Sequence, residues 1–437
     1  MTLPTSLRIL LLLPLVPGVS LAQATLTGSP ISGDISRPKL ESDLETTNVL
    51  WGDLAVSAIA DDNNNYSTTH PTPGSQFYFV PAIAIQQTQP RLSWNLGYAP
   101  GLRVSLPSGS GPTQLTQSLG GTLHWEISKR LAVGLRQDYL RTSDPFQKFG
   151  EAPLQSDLGL LNRPPDVLFS SLTYSELRSE GVVDYKLDKH TLVGVNGSFL
   201  QLTGGPHPTQ NQMFISTRIS SGSAFISHQF TARQAIGVQY QLLDMSFQGN
   251  SNTITQGFFL FDRMVLSPRI TFTIFAGPQY SHIHNQEAVS SQSIVVLIPG
   301  FTTFWSPAAG GMLTWHGNRT VFYLDATRQV SAGLGLLSSA EVNTTSLNIQ
   351  RKVTSLWTAD VSGQFSDETP LTTPSSSHIL LWNFRAGISR EFSRDMHLRL
   401  AYQHIQQSGS YLYTYGPGNH NRFLLTFDRS FAWPMGR

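Results

Sequence analysis

A period of two recurs along nearly the whole chain, and it constrains the fold more than any other feature. In Leu380, Trp382, Phe384, Ala386 and Ile388 one face is apolar, while the interleaved Leu381, Asn383, Arg385, Gly387 and Ser389 are mostly small or polar. Met396, Leu398, Leu400 and Tyr402 alternate in the same way with His397, Arg399, Ala401 and Gln403. So do Leu115, Leu119, Leu123, Trp125 and Ile127 with Thr116, Ser118, Gly120, Thr122, His124 and Glu126. Trp357, Ala359, Val361 and Phe365 against Thr358, Asp360, Ser362 and Gln364 repeat the pattern. Successive side chains of a strand point to opposite faces, so each segment reads as a strand with one apolar and one polar surface; helical spacing would not produce it.

Collecting such segments predicts about eighteen strands, near 51–61, 76–88, 91–104, 113–128, 130–143, 172–187, 190–203, 213–230, 234–248, 253–267, 269–284, 301–316, 319–332, 341–352, 356–367, 378–392, 396–408 and 421–433. Every second connection is very short, as at Gln89-Pro90, Lys129, Asp188-Lys189, Ala232-Arg233, Pro268, Gly317-Asn318, Thr354-Ser355 and Arg394-Asp395. The intervening ones are long and rich in Gly, Pro, Ser and Asn, among them 62–75, 144–171, 285–300 and 409–420. An up-and-down barrel must alternate in this way, with turns at one rim and loops at the other; a soluble sandwich has no reason to. The expectation is an all-β, antiparallel, up-and-down transmembrane β-barrel over 49–433. The apolar run Ile294 to Ile298 inside one long connection leaves the strand number between about sixteen and twenty.

Composition agrees. Charged residues make up 13% of the chain, against about a quarter in soluble domains. Ser, Thr, Gln, Asn and Gly take their place, as expected where one face of a strand meets lipid and the other water. The aromatics Trp94, Tyr98, Trp125, Tyr139, Trp315, Trp357, Trp382 and Trp433 suit interfacial girdles. There is no cysteine, which removes disulfides, thiolate metal sites and cysteine nucleophiles together. A formal net charge of +1 gives no case for nucleic-acid binding.

At the start of the chain, Arg8 precedes the apolar run Ile9 to Val16, and Ala22-Gln23-Ala24 supplies a small-x-small cleavage pattern. Residues 1–24 are therefore expected to be a signal peptide, because the run falls short of the about 20 apolar residues that a spanning helix needs. Residues 25–48, with Gly28, Pro30, Gly33 and Pro38, show neither period and are expected to form a flexible periplasmic lead-in.

The last predicted strand, Arg422 to Trp433, alternates and is rich in aromatics. In this the chain resembles the family of bacterial outer-membrane β-barrel proteins, whose last strand carries such a pattern as an insertion signal for the barrel assembly machinery. The resemblance implies that role for Phe423, Leu425, Phe427, Phe431 and Trp433; Pro434-Met435-Gly436-Arg437 then follow, where the family often ends on the aromatic itself. The chain also looks like a group of barrels linked to exopolysaccharide export. The location implied is the outer membrane, with its lipid as partner.

Chemistry is expected in the lumen. Glu176, Arg178, Glu180, Asp184 and Lys186 are every second residue of one predicted strand and point the same way. With Glu126, Arg136 and Asp138 on neighbouring strands they would form either a selectivity field, as charged rings do in pores, or a static ion-pair network. The connection 144–171, with Pro145, Pro153, Pro164 and Pro165, would fold inward as a constriction or remain an exposed loop. His282 and His284 share a face, but no third ligand accompanies them, so no metal site is expected. No Gly-x-Ser-x-Gly elbow, phosphate loop or dinucleotide fingerprint is present; neither catalysis nor a cofactor is expected. The functional expectation is a pore for small hydrophilic solutes or polymer, with a closed structural or assembly barrel as the rival.

Overall fold

The computed structural model describes residues 48–63, 71–106, 114–142, 174–204, 216–247, 251–291, 294–331, 339–371, 378–393, 395–409 and 418–435. The period-two segments form β1 (Val49–Asp61), β2 (Gly74–Thr88), β3 (Leu92–Leu106), β4 (Gln114–Glu126), β5 (Leu131–Thr142), β6 (Tyr174–Lys186), β7 (Thr191–Gly204), β8 (Thr217–Thr231) and β9 (Gln234–Phe247). They continue with β10 (Ser251–Ser267), β11 (Ile270–Ser291), β12 (Ile294–His316), β13 (Thr320–Ser331), β14 (Ala340–Lys352), β15 (Trp357–Pro370), β16 (Ile379–Ser393), β17 (Met396–Gly409) and β18 (Gly418–Pro434). Each pairs antiparallel with its sequence neighbours, and β1 pairs with β18 from Val49↔Pro434 to Asp61↔Arg422, closing an 18-stranded sheet on itself. Closure follows from the solvent: in hydrocarbon an unpaired backbone group costs several kcal/mol, so a spanning sheet has no open edge.

The register assigns the faces. Tyr98, Leu119, Leu135, Val195, Leu260, Phe384, Leu400 and Leu425 all lie on the outer face and are exposed, forming an apolar belt. The inner face is stitched by cross-strand pairs of hydroxyls and amides, including Ser57–Thr426 at 3.0 Å, Ser198–Ser221 at 2.7 Å, Thr255–Ser281 at 2.9 Å and Gln403–Asn383 at 3.1 Å. Such pairs add a few tenths to about 1 kcal/mol each to strand pairing.

Most of the short turns share one local device, while those at 89–90 and 317–318 are closed by backbone bonds, Gln89 N–H to Leu92 and Gly317 N–H to Thr320. A Ser, Thr or Asp at the strand end turns its side-chain oxygen onto backbone N–H groups two or three residues ahead, which fixes the reversal. Asp188 accepts from the N–H groups of His190 and Thr191, both at 2.7 Å, and Ser128 and Thr354 accept two bonds each in the same way. Ser267 and Ser393 each accept one.

One expectation is corrected. Residues 285–300 are not a long loop: β11 runs on to Ser291, β12 starts at Ile294, and the two stay paired from Asn285↔Gly300 to Ser291↔Ile294. The run Ile294 to Ile298 is rich in β-branched residues and extends the hairpin rather than adding a strand. The proposed signal peptide, residues 25–47 of the lead-in and the 144–171 connection lie outside the described residues.

Candidate functional site

The lumen charges predicted from sequence come together where β5 meets β6. All of Arg136, Asp138, Glu176, Arg178, Glu180, Asp184 and Lys186 face inward. Register places Arg136 opposite Glu180 and Asp138 opposite Arg178, so opposite charges face each other across the strands. Within each strand Arg136 Nε binds Asp138 Oδ2 at 2.5 Å, and Arg178 donates to Glu180. Asp138, Glu176, Arg178 and Glu180 are buried in this wall. Asp184 lies further toward the short turns beside Gly194, with Lys186 two residues beyond it. Glu126 is not part of the network; it ends β4 at the short-turn rim, opposite Ala132, and is exposed.

Two further clusters join residues too distant in sequence for spacing to reveal. Asp360 on β15 reaches across β16 to Arg399 on β17 at 3.0 Å. The strand between offers Gly387 opposite Asp360, where a Cβ would lie 2.9 Å from the carboxylate. At the long-connection rim of the closing seam, Asp61 is within 3.3 Å of His420 Nδ1 and 3.4 Å of Arg422 Nε, and accepts the Asn63 N–H at 2.9 Å.

Part of the inner wall is apolar. Phe225, Phe261 and Phe275 face inward and lie over glycines of adjacent strands: a Cβ on Gly194 would fall 2.3 Å from Phe225, on Gly237 2.2 Å from Phe261, and on Gly310 2.4 Å from Phe275. Toward the long-connection rim, Tyr174, Leu200, Leu202, Ile219, Leu243, Met245 and Phe247 of β6–β9 form a buried cluster with Val330 of β13, and Leu371 packs against it. Each such side chain contributes about 1.5–3 kcal/mol by leaving water. The signal in the sequence is lost alternation, as in Phe258-Phe259-Leu260-Phe261 and Leu242-Leu243.

Val330 belongs to a strand no nearer than four places from β9, roughly 19 Å along the wall at about 4.8 Å per strand. It reaches the cluster because β13 leaves the wall. Pairing of β12 with β13 stops at Ala309↔Arg328, although β12 extends back to Ile294. His316 donates its N–H toward β11; by alternation odd-numbered β12 residues point their backbone groups toward β13. The next such residue is Pro307, which has no N–H to give the Val330 carbonyl. The Val330 N–H is instead taken by Gln279 Oε1 of β11 at 2.9 Å, and Ser339, just before β14, accepts from Thr253 of β10 at 3.1 Å. Leu371 in turn donates its N–H to the Ser339 carbonyl at 3.0 Å.

The lumen is thus asymmetric along its axis. Near the long-connection rim the inward residues Gln76, Thr142, Thr217, Thr253, Ser366 and Gln407 are at most 2% exposed. Toward the short turns of β3, β4, β15, β17 and β18 the inward residues Asn95, Thr122, His124, Ser362, Arg399 and Asp428 are solvent-accessible, whereas on β7, β8, β10 and β11 Leu192, Ser227, Phe261 and Thr273 are buried.

Phe423, Leu425, Phe427, Phe431 and Trp433 face outward on β18, with the Trp433 ring over Gly52 of β1. His282 and His284 also face outward, against Phe301, and among the described residues no three candidate ligands gather as a metal site.

No family model and no curated protein sequence matches the chain. Solved structures of large barrels do. OpdK from Pseudomonas aeruginosa, crystallised with vanillate, shares 11% identity over 88% of this chain and 99% of its own, with a TM-score of 0.42. A BenF-like porin from Pseudomonas fluorescens shares 11% over 87% and 99%, at 0.44. The ferric citrate transporter FecA shares 7% over 89% and 79%, at 0.46. Likeness at that level is common to large antiparallel barrels.

Proposed function

We propose that this protein is an outer-membrane pore for small hydrophilic solutes whose outer end is closed in the conformation described. One observation carries the reading: on β3, β4, β15, β17 and β18 the inward residues of the short-turn half are polar and water-accessible, from Asn95 and Thr122 to Ser362, Arg399 and Asp428. A barrel serving only as a structural anchor has no need of a hydrated vestibule. Both charge signs sit side by side on the wall, which suits neutral or weakly charged solutes better than strong selection of one ion. The outer-membrane location follows from the barrel class, and in this reading residues 1–24 direct export while the outward aromatics of β18 engage the barrel assembly machinery.

The packing at the outer rim is what a closed structural barrel would also have, so the two readings need a direct test. In planar bilayers the refolded mature chain is expected to give discrete conductance steps. Glu176→Lys with Glu180→Lys is expected to shift the reversal potential toward anions. A folded, heat-modifiable barrel that stays silent under all applied voltages would favour the structural reading.

A further inference from the structure

We propose that the corner made by the outer ends of β13, β14 and β15 is a displaceable gate, latched on the inner wall of β8–β11; this rests on the pore reading above. The corner's strands stay paired with one another and, through Glu368↔Ile379, with β16, but its free β13 edge is not laddered to the wall. Beyond Ala309↔Arg328 no β12–β13 pair is formed. Contacts that hold this edge inside include Val330 N–H to Gln279, Thr253 to Ser339, and the apolar packing of Val330 and Leu371 on β6–β9. An edge held by side-chain contacts, hinged on the ladder to β16, opens at lower free energy than the closed sheet it rests on.

Opening has a defined cost and a defined limit. Lifting the corner uncovers Ile219, Met245 and Leu243, each at most 3% exposed in the closed form, so the closed form predominates without a solute gradient or voltage. Polar atoms at the latch find water as readily as each other. Gln279 and Thr253 therefore allow release, while the apolar contacts set how rare it is.

The absence of cysteine makes the test clean. Thr253→Cys with Ser339→Cys replaces two oxygens 3.1 Å apart and is expected to form a disulfide in the folded barrel on mild oxidation. Open probability in bilayers should then fall about tenfold or more and recover on reduction. Val330→Asp with Leu371→Asp should raise it about tenfold, the effect of about 1.4 kcal/mol of lost docking. A cross-linked barrel that conducts as well as the reduced one overturns the gate, and so does failure of the folded protein to cross-link. If wild type is silent and the undocked variant conducts, the gate stands. If both are silent in a folded barrel, the pore reading itself has failed.

Discussion

Single residues set the tolerances of this wall, and glycines show it most sharply. A Cβ on Gly277 would lie 1.8 Å from the Phe258 carbonyl oxygen, an atom of the backbone that cannot swing aside, whereas nothing lies within 4 Å of one on Gly363. Gly277→Ala should therefore destabilise the folded barrel by about 1–3 kcal/mol. Gly363→Ala should be neutral or slightly stabilising, because it only restricts the unfolded chain. Urea midpoints of the two variants in detergent or lipid check the contrast. Asp188 supplies a pH-dependent counterpart outside the membrane span. Its carboxyl is held below the ordinary carboxylate range, first by the His190 N–H and then by Thr191. A lowered folded-state pKa means that the turn's stabilisation is present above the unfolded value and lost as pH falls through the folded one. Asp188→Ala should thus weaken the barrel at neutral pH and make no difference well below that range, as read from unfolding midpoints at both pH values.

At the scale of elements, each of the eighteen strands lies where period two places it, because a lipid-facing side and a polar inner side leave the alternation intact. Legibility ended where that condition fails. The β11–β12 extension is paired at Asn285↔Gly300 and beyond, yet its apolar run reads as an irregular loop. The inner clusters on β6–β11 put apolar residues on both faces and so erase the signal. The β5–β6 charge ladder was legible from spacing, since Glu176, Arg178 and Glu180 share a face, and β5 follows it in register. The Asp360–Arg399 bridge was not, because it depends on which strand lies between. That bridge predicts that Gly387→Leu, by filling the space above Gly387, separates the pair and changes reversal potential with little effect on folding; an unchanged potential would remove the pair from the solute path. Pro307 supplies the test of why β13 departs. Pro307→Ala restores the missing N–H and should draw Val330 back toward the wall, raising conductance; unchanged conductance would place the cause of the departure elsewhere.

The whole molecule is a closed barrel with an apolar exterior and a lumen packed at the loop rim but wet at the turn rim along β3, β4, β15, β17 and β18. Those three properties can be read together by cysteine substitution, one position at a time, in a chain with no native thiol. The folded protein would be placed in liposomes and exposed from both sides to a water-soluble maleimide. Ser118→Cys and Ser362→Cys, inward and accessible, should label readily. Ser366→Cys and Thr142→Cys, inward and buried, should label slowly, and Leu400→Cys should not label in lipid although it is exposed in the isolated barrel. Fast labelling of all four inward positions would contradict the closed outer half, and labelling of Leu400→Cys together with silence at Ser118→Cys and Ser362→Cys would contradict the assignment of inside and outside.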